Sequence, residues 1–403
     1  MKEKDSRALA HIELVHDIRP IEGADNIELI HCLGWTLIAK KQEFQEGQKA
    51  VYIEIDSKVP ETEPFAFLAS KGYKIKTMKL SKFNVISQGI ALPLSLLGLD
   101  ENKYNVGDDV TKVLGIKKIE TNEEKRLHKS EGVSKQSILT SIKARHRKFF
   151  QNKFVKKLIK HKWFQDFIIS LLARKGDKPR AFPAYITKTD ETRIENMPWI
   201  LGDGTRYIKT EKIDGTSSTY AVRRIKKNKF ELIVCSRNVR QADRDQANFN
   251  TEDAGGNIYW EMADKYHIHD ALIKIANEYN QEVVILQGES IGNVQGNPYK
   301  LKDNQFYGYN LVFTDHVKSF YKKFNPIEAK EIVAKYKIDW VPILDTDFYT
   351  PATIEEMKQL ADGQSVINPK VIREGIVCRS YGDGNDYISF KNVSNTYLLK
   401  HNG

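Results

Sequence analysis

The sequence predicts an α+β protein with a small N-terminal β-barrel, a basic helical segment and a larger C-terminal domain of antiparallel sheets and helices. Short alternating stretches, broken by Gly and Pro turns, fill roughly the first hundred residues. The composition then becomes basic and helical up to about residue 180, and strand patterns with helices between them return from residue 182. A chain of 403 residues is long enough for more than one such unit.

The first domain is expected over residues 1–115. The stretch "GWTLIAKKQEF" is followed by the turn "QEGQ". "KAVYIEIDSKVP" then alternates, which places Val51 and Ile53 on one face of a strand and Tyr52 and Glu54 on the other. About five short strands of this kind suit a small closed barrel. An OB-type barrel, a fold that often binds nucleic acid, is one choice.

Residues 116–180 are expected to form a linker or a helical insertion. The stretch "ETNEEKRLHKSEGVSKQS" is polar, and apolar residues then recur at helical spacing, as at Phe150, Phe154, Leu158 and Trp163. No acidic residue occurs from residue 141 to 162. A basic amphipathic helix contacts a nucleic-acid backbone, contacts a membrane surface or forms the solvated face of a core helix. We favour nucleic-acid contact through Lys153, Lys156, Lys157 and Lys160.

The overall composition narrows the class of protein. A net charge of +10 and a pI of about 9.1 favour a polyanionic partner, although a basic enzyme is equally open. Three distant cysteines without a CxxC pair argue against a disulfide framework or zinc site and indicate a reducing, cytoplasmic location. Neither a signal peptide nor an apolar run long enough to span a membrane is recognisable.

Residues 181–403 are expected to form the second domain. Its strand candidates are "TSSTYAVRRI", "KFELIVCSRN", "EVVILQGES", "FYGYNLVF", "EGIVCRS" and "DYISFK". One helix is expected in "EMADKYHIHDALIKIANEYN", where Ile268, Leu272, Ile275 and Tyr279 share a face. Another begins in "NPIEAKEIVAKYK", with Asn325 as its N-cap and a proline at its first position.

The stretch "TEKIDGTSSTYAV" places Lys212 at the end of one expected strand, with Asp214 and Gly215 before the next. Alone, it fits a surface turn, because Asp-Gly is a strong turn dipeptide. The alternative is a nucleophilic lysine in a phosphate-handling pocket. Charged residues also lie in or beside later apolar strands, where a charge needs a partner, a metal or a ligand. These later clusters are "SRN" (Ser236–Asn238), "QGE" (Gln287–Glu289), "REGIV" (Arg373–Val377) and "SFK" (Ser389–Lys391).

In this order, "EKIDG", "SRN", "QGE", "REGIV" and "SFK" resemble the motifs of the covalent nucleotidyltransferase superfamily, which contains ATP-dependent ligases and mRNA capping enzymes. Capping enzymes and most DNA ligases carry an OB domain after the last lysine motif, whereas only 12 residues follow Lys391 here. The expected barrel precedes the motifs instead. This layout is similar to the nick-sealing RNA ligases of the subfamily with an N-terminal OB domain. The resemblance implies a nucleotidyltransferase, or adenylation, domain over residues 181–403.

The resemblance also implies ATP, with Mg²⁺ or Mn²⁺, as cofactors and a lysyl-AMP intermediate on Lys212. The attacking amine must be neutral, and the unperturbed pKa of lysine is about 10.4, so a metal or other cations must lower it. By the same matching, Asp214 and Glu374 hold metal-bound water, Lys391 contacts the α-phosphate, Glu289 and Arg237 contact the ribose, Glu211 reads the adenine amine, and Tyr309 stacks on adenine. Core packing is the alternative for Tyr309, with Phe306 or Tyr307 sharing the stacking role.

The sequence departs from the subfamily pattern at Ser389. The last motif in this branch often has two lysines separated by one residue, and only Lys391 is present here. Either another cation, Arg379 or Lys400, takes the vacant place or one step is slower. The basic segment from about residue 120 to 178 is a second departure.

We therefore expect an ATP-dependent RNA ligase that seals 5′-phosphate and 3′-OH ends at nicks in RNA or RNA-containing duplexes and acts as a monomer. Two alternatives stay open at this stage. One is a nucleic-acid-binding protein with an impaired nucleotidyltransferase domain, which the serine at position 389 would favour. The other is a polynucleotide ligase for DNA or single-stranded ends. A metal hydrolase fits poorly, because no HExxH motif occurs.

Overall fold

The computed structural model describes residues 8–119, 138–172 apart from 141 and 144, 182–241, 257–382 and 387–401. These residues form an α+β fold, as predicted. The polar stretch "ETNEEKRLHKSEGVSKQS", predicted as a linker, lies outside them. None of the described helices is long and apolar enough to cross a membrane.

Strands occur throughout the described part of the chain, whereas α-helical residues occur from residue 138 onward. The strands are β1 Ala10–Pro20, β2 Ile27–Cys32, β3 Trp35–Lys40, β4 Lys49–Ile53, β5 Ser57–Lys58, β6 Lys74–Ile75, β7 Thr77–Leu80, β8 Val85–Gln88, β9 Ile90–Pro93, β10 Lys117–Lys118, β11 Thr192–Arg193, β12 Arg206–Lys212, β13 Thr216–Lys226, β14 Lys229–Ser236, β15 Val283–Ile291, β16 Gln305–Thr314, β17 Tyr321–Lys323, β18 Ile343–Tyr349, β19 Gly375–Ser380 and β20 Ser389–Val393. The helices are α1 Arg147–Gln151, α2 Lys153–Leu158, α3 Lys162–Leu172, α4 Ile258–Lys265, α5 Ile268–Glu278, α6 Pro326–Ala334, α7 Ile354–Gln359 and α8 Asn395–His401.

Strands β1 to β10 surround one apolar core. Five of them form a sheet in the order β3-β2-β1-β4-β9, three form a sheet in the order β10-β5-β6, and β7 and β8 pair as a hairpin. The core between them includes Ile12, Trp35, Leu37 and Phe65. The predicted barrel is therefore present, and β10 adds residues 117–118 to it, just beyond the expected boundary at residue 115.

The two faces predicted for "KAVYIEIDSKVP" are both buried over residues 51–54, so the alternation does not separate a buried face from an exposed one there. Val51 and Ile53 are buried as expected, but Tyr52 and Glu54 are buried as well. Tyr52 packs in the core of the barrel itself, whereas Glu54 meets the C-terminal part of the chain, where Asn196 donates a hydrogen bond to it at 2.7 Å. Alternation identifies the residues that share a face, but it cannot reveal that another part of the chain covers that face.

Gly34 lies where the barrel touches the C-terminal part. Its N–H donates to the Glu195 carbonyl oxygen at 2.8 Å, and a Cβ at this position would lie 2.9 Å from the Glu195 Cα. We expect Gly34→Ala to force the two backbones apart and to lower the free energy of unfolding by about 1–3 kcal/mol, as overpacking does in cores. Thermal unfolding measures this loss. An unchanged melting temperature would mean that the two backbones do not approach so closely in solution.

The described part of the basic segment contains helices α1 to α3, preceded by helical residues from position 138. Asn152 separates α1 from α2, because its side chain caps α2 by accepting a hydrogen bond from the Phe154 N–H at 2.8 Å. The predicted apolar face is correct for Phe150 and Leu158, which pack against the core of this segment, and wrong for the other two residues. Phe154 and Trp163 are 69% and 63% exposed, whereas Val155 and Phe164 are buried. A single helical period across the segment fails because the cap at Asn152 interrupts the helix.

Two five-stranded sheets form the C-terminal part. The first has the order β11-β20-β19-β12-β18, and the second has the order β14-β13-β15-β16-β17. Neighbouring strands are antiparallel except for β11 and β20. Helices α4, α5 and α6 pack on the second sheet around Tyr220, Leu272 and Phe306, and α7 packs on the first sheet through Met357. A cavity between the two sheets is lined from both of them.

Two helices replace the single helix predicted for "EMADKYHIHDALIKIANEYN". His267 has a positive φ of 48°, and the chain breaks there between α4 and α5. Leu272 and Ile275 are buried, as the predicted helical face requires. The predicted N-cap of α6 is confirmed, because the Asn325 side chain accepts hydrogen bonds from two backbone N–H groups of that helix.

Candidate active site

Lys212 is the last residue of β12, and β13 begins at Thr216. The Lys212 Nζ lies 2.6 Å from a carboxylate oxygen of Glu374, and both side chains are mostly buried. Gly215 permits the tight connection, because a Cβ there would overlap the carbonyl oxygen of Ser290 on β15. The surface-turn interpretation of "EKIDG" therefore fails. The chain bends at Gly215, but Lys212 lines the cavity between the sheets.

The cavity brings together most of the residues predicted for the site. Its lining includes Glu211, Lys212, Arg237, Glu289, Tyr309 and Lys391. Glu374 joins them through its ion pair with Lys212. Residues that are 179 positions apart in the sequence, such as Lys212 and Lys391, thus share one site because β12 and β20 both pair with β19.

Three carboxylates act on the Lys212 amine, namely Glu374, Glu289 and Asp214. Burial raises the pKa of Glu289 to about 8, and the negative charges of Glu374 and Asp214 add to the rise. Burial also raises the pKa of Glu374, although its contact with Lys212 opposes the shift. Like charges held together away from water are typical of a site that receives a further cation.

The Lys212 amine is charged in this arrangement. Burial alone would lower its pKa, but Glu374, Glu289 and Asp214 outweigh burial and raise it. A lysine must lose its proton before it can act as a nucleophile. A cation that neutralises these carboxylates would lower the pKa of the amine again.

The carboxylates fit one mode of metal binding. Among the described residues, no group of three or more His, Cys, Asp or Glu side chains is arranged to hold a metal ion by itself. Mg²⁺ suits such a site, since it keeps several waters and binds through one or two carboxylates together with substrate phosphates. Asp214 and Glu374, the predicted metal residues, would supply the one or two carboxylates. The excess negative charge around Glu289 would also favour a cation there.

A β-bulge brings Tyr309 to the cavity. The pairing of β15 with β16 shifts register between Gln287 and Gly288, which leaves Tyr309 without a partner on β15. The Tyr309 hydroxyl hydrogen-bonds to Thr189 and Ser217, each at 3.0 Å. These two contacts fix the ring against the wall of the cavity, where a flat ligand could stack on it.

Phe306, predicted as a residue that binds the cofactor, does not line the cavity. It is fully buried, and its ring packs edge-on against Tyr220 and Tyr266 at centroid distances of 5.2 and 6.2 Å. The prediction for Phe306 is therefore wrong, because this ring lies in the core between the second sheet and its helices.

Glu211 lines the cavity beside Lys212 although it is only 1% exposed. One carboxylate oxygen accepts a hydrogen bond from the Val366 N–H at 2.8 Å. The other has no hydrogen-bond partner within the described chain, and burial raises the pKa of the group. A buried acceptor without a partner is costly unless a ligand supplies a donor, which suits a contact with an exocyclic amine.

Asp190 joins two of the predicted ligand-binding cations. Its carboxylate lies 2.8 Å from the Lys391 Nζ and 3.0 Å from the Arg237 guanidinium. Burial lowers the pKa of Lys391 to about 8, helped by Arg193 and Lys212 and opposed by Asp190. Both cations thus converge on one carboxylate, and an anionic ligand group at the same place would meet both of them.

Arg379 lies beside Ser389, the position at which the family pattern often has a second lysine. It pairs across the strands with Ser389 and lines the cavity, whereas Lys400 is exposed on the last turn of α8. The Arg379 guanidinium lies 3.1 Å from Glu191, and the Ser389 hydroxyl donates to the same carboxylate. Of the two substitutes predicted from sequence, the geometry favours Arg379.

The four lysines predicted to contact nucleic acid lie elsewhere. Lys153, Lys156, Lys157 and Lys160 are exposed on α2 or just after it. None of them is among the residues that line the cavity. A contact through these lysines would therefore lie outside the candidate active site.

Sequence reasoning missed Tyr397 and Tyr299, which hold Asp214. The Tyr397 hydroxyl donates to the Asp214 carboxylate at 2.5 Å, and the Asp214 N–H donates to the Tyr299 hydroxyl at 3.0 Å. Tyr397 belongs to α8 and lies 183 residues from Asp214 in the sequence. No spacing rule connects residues so far apart, and the one local sign is a tyrosine in a short apolar helix after the last motif.

Comparison with known proteins accounts for both parts of the chain. An OB-fold domain profile matches residues 9–94, and the RNA ligase family profile matches residues 205–393. No curated protein matches the chain. Among solved structures, a point mutant of Naegleria gruberi RNA ligase with ATP and Mn is 30% identical with a TM-score of 0.70, and the match covers 98% of this chain and 99% of that one. The chain belongs to the RNA ligase family.

Two further structures of the Naegleria gruberi enzyme agree with this assignment. A second point mutant with ATP and Mn is 30% identical with a TM-score of 0.71, and the enzyme with PPi is 29% identical with a TM-score of 0.70. Each match covers 98% of this RNA ligase and 99% of the other chain. The comparisons confirm the predicted family and fold, an RNA ligase with an N-terminal OB domain followed by a nucleotidyltransferase domain.

Proposed function

We propose that this RNA ligase uses ATP to join RNA ends through AMP bound covalently to Lys212. The observation that carries the proposal is the position of the Lys212 amine, 2.6 Å from Glu374 in a cavity that also holds Tyr309, Arg237 and Lys391. The similar Naegleria gruberi structures with ATP and Mn, and with AMP and Mn, support ATP and a divalent metal as the cofactors.

In the first step, the neutral Lys212 amine attacks the α-phosphorus of ATP. An N–P bond forms as the bond to pyrophosphate breaks, pyrophosphate leaves, and the Lys212 nitrogen releases a proton to solvent. Lys391 and Arg379 are placed to bind the phosphate oxygens on which negative charge develops. A divalent metal near Asp214 and Glu374 would neutralise phosphate charge when bound.

The remaining cavity residues would bind the nucleoside. We assign adenine stacking to Tyr309 and recognition of the adenine amine to the unpartnered oxygen of Glu211. Arg237 and Glu289 would contact the ribose. The stacking role of Tyr309 is supported by the hydrogen bonds that fix its hydroxyl. The recognition role of Glu211 is supported by its buried acceptor oxygen, which a donor of the ligand would satisfy.

The later steps pass AMP to RNA and release it. An oxygen of the RNA 5′-phosphate attacks the AMP phosphorus, the N–P bond breaks, and the Lys212 nitrogen takes up a proton. The 3′-OH then attacks the adenylylated 5′-phosphate, and AMP leaves. We propose that the two ends meet at a nick in an RNA or RNA-containing duplex and that one chain acts alone. Residues 1–115, 116–180 and 181–403 would serve as the OB domain, the basic linker or insertion, and the adenylation domain.

Incubation with ATP labelled at the α-phosphate, in the presence of Mn²⁺, tests this proposal. We expect label on the protein, through a bond that acid breaks because protonation of the nitrogen makes it labile. Addition of a nicked RNA duplex with a 5′-phosphate should move the label to RNA and then release it as AMP. Absence of labelled protein would contradict the ATP step. Faster sealing of nicked DNA or of single-stranded RNA would contradict the proposed substrate.

Tyr397→Phe is expected to slow the attachment of AMP by about 10- to 100-fold, because hydrogen bonds to charged groups contribute about 1.5–3 kcal/mol. The Mn²⁺ concentration needed for half of the maximal rate should rise, since Asp214 loses a partner that orients it. Tyr381→Phe is the matched control, because its hydroxyl is exposed and donates to the Thr346 carbonyl oxygen. An unchanged metal requirement in Tyr397→Phe would mean that Tyr397 contributes by packing and that its hydroxyl does not orient Asp214 for the metal.

Replacing Lys153, Lys156, Lys157 and Lys160 with Gln tests the predicted nucleic-acid contact. We expect the slope of log K for RNA against log salt to fall in magnitude by about 3, since each phosphate contact contributes roughly 0.7–0.9. Binding to a nicked RNA duplex, measured at several salt concentrations, gives this slope. An unchanged slope would show that the segment does not contact the RNA backbone.

A further inference from the structure

A row of lysines crosses the three-stranded sheet of the OB domain. Lys117 on β10 pairs with Lys58 on β5, and Lys58 pairs with Lys74 on β6. All three side chains are exposed. Directly paired residues of an antiparallel sheet have Cβ atoms about 4.5–5.5 Å apart, and like charges in such pairs are destabilising. We call Lys58, Lys74 and Lys117 the lysine row.

Folding alone does not account for this row. Within the described chain, the one ion pair that the row makes joins Lys58 to Glu61 at 3.4 Å, with both side chains largely exposed. An exposed pair of this kind contributes little. Beyond Asp56, Glu61 and Glu63, which lie near Lys58 in the sequence, the following residues 64–99 contain five lysines and no Asp or Glu. The charge of the row is therefore available to an external anion.

The row is connected to the active site through few elements. Strand β6 is separated from β7 by one residue, and β7 packs against α8. Helix α8 carries Tyr397, which donates to Asp214. At the open end of the hairpin, where Gln88 pairs with Thr77, the Gln88 side chain accepts a hydrogen bond from Lys358 of the C-terminal part. These contacts hold this side of the OB domain against the domain that carries Lys212.

We propose that the lysine row binds the sugar-phosphate backbone of the RNA substrate at a distance from the reacting ends. The proposal rests on the proposed RNA-joining function. The positive charge of the row indicates that its ligand is a polyanion. RNA is the polyanion on which an RNA ligase acts, and its phosphates would neutralise like charges that otherwise oppose folding. This surface is separate from the cavity and from the exposed lysines of α2.

The test compares two triple variants that change the net charge equally. The first replaces the lysine row, as Lys58→Gln, Lys74→Gln and Lys117→Gln. The control replaces three exposed lysines at the turn between β13 and β14, as Lys226→Gln, Lys227→Gln and Lys229→Gln. This turn is at the far end of the 11-residue β13 from the Lys212 site. At 3.2–3.4 Å per residue, the strand spans roughly 33 Å.

The probe is a fluorescent RNA duplex with one nick and a 5′-phosphate, titrated without ATP or metal at several salt concentrations. We expect the row variant to bind at least about 10-fold more weakly and its salt slope to fall in magnitude by about 2–3, whereas the control binds as the unmodified protein does. The melting temperature of the row variant should stay the same or rise, since repulsion within the row is removed.

Unchanged binding by the row variant would overturn the proposal, and so would an equal loss in both variants, which would indicate a response to net charge alone. Attachment of AMP by the unmodified protein is measured separately without RNA. Its absence would contradict the proposed function, whereas the RNA titration addresses only the lysine row.

Discussion

Lys212→Ala is expected to abolish the attachment of AMP to the protein. Its amine is the group that the cavity places beside Glu374, and alanine leaves no nucleophile at the end of β12. Labelling with α-labelled ATP should fall by at least about 1,000-fold, which corresponds to about 4 kcal/mol in the barrier. The same variant should still seal a nick whose 5′-phosphate already carries AMP, because the final step does not use this amine.

Lys209→Ala is the matched control for this result. Lys209 lies on the same strand, but its amine pairs with Asp345 at 3.4 Å and it is not among the residues that line the cavity. We expect it to attach AMP normally. Residual labelling in Lys212→Ala would assign the nucleophile to the other amine of the cavity, Lys391, whose pKa is lowered to about 8 by burial. Lys212→Ala combined with Lys391→Ala would then decide between the two.

Arg379→Ala is expected to reduce both stability and the attachment of AMP. The guanidinium is buried and pairs with Glu191. Burial would raise the pKa of Glu191, but Arg379, Lys323 and the Ser389 hydroxyl together outweigh burial and lower it. Removing one member of a buried pair costs about 3–5 kcal/mol, and the lower part of that range applies here because Glu191 keeps the Ser389 hydroxyl as a donor. Thermal unfolding and AMP labelling, measured on the same sample, test the two effects.

A double variant separates folding from chemistry at this position. Arg379→Met with Glu191→Gln removes both charges of the pair, and replacing a buried pair by neutral groups is often nearly neutral for stability. We expect a melting temperature close to that of the unmodified protein, with AMP labelling still at least about 10-fold slower because a cation near the phosphates is lost. Full labelling activity in a folded double variant would mean that Arg379 does not replace the missing lysine.

The order of the charged clusters was readable from sequence because each lies at or near the end of a strand. A charge next to an apolar strand is rare enough to be recognised without knowing the fold. Lys212, Glu289, Glu374 and Lys391 could therefore be selected, and the structure places them around one cavity or in contact with it. Their roles in catalysis stay predictions that the variants above test.

The choice between Phe306 and Tyr309 could not be made from sequence. Both rings lie on β16, and simple alternation would not predict which of them reaches a ligand. The bulge opposite Gln287 and Gly288 decides it, because it leaves Tyr309 unpaired and turned to the cavity while Phe306 packs into the core. A bulge depends on the pairing of two strands, so the sequence of either strand alone does not predict it.

The sequence by itself determined the class of this protein: a barrel, a basic segment and a nucleotidyltransferase domain with a candidate nucleophilic lysine. Those features depend on local patterns and on the chemistry of single residues. Tertiary structure alone decided that Tyr397 holds Asp214, that Arg379 pairs across strands with Ser389, and that three lysines form a row. The physical reason is that hydrogen bonds, ion pairs and charge repulsion act over a few ångströms in space, whatever the separation of the residues along the chain.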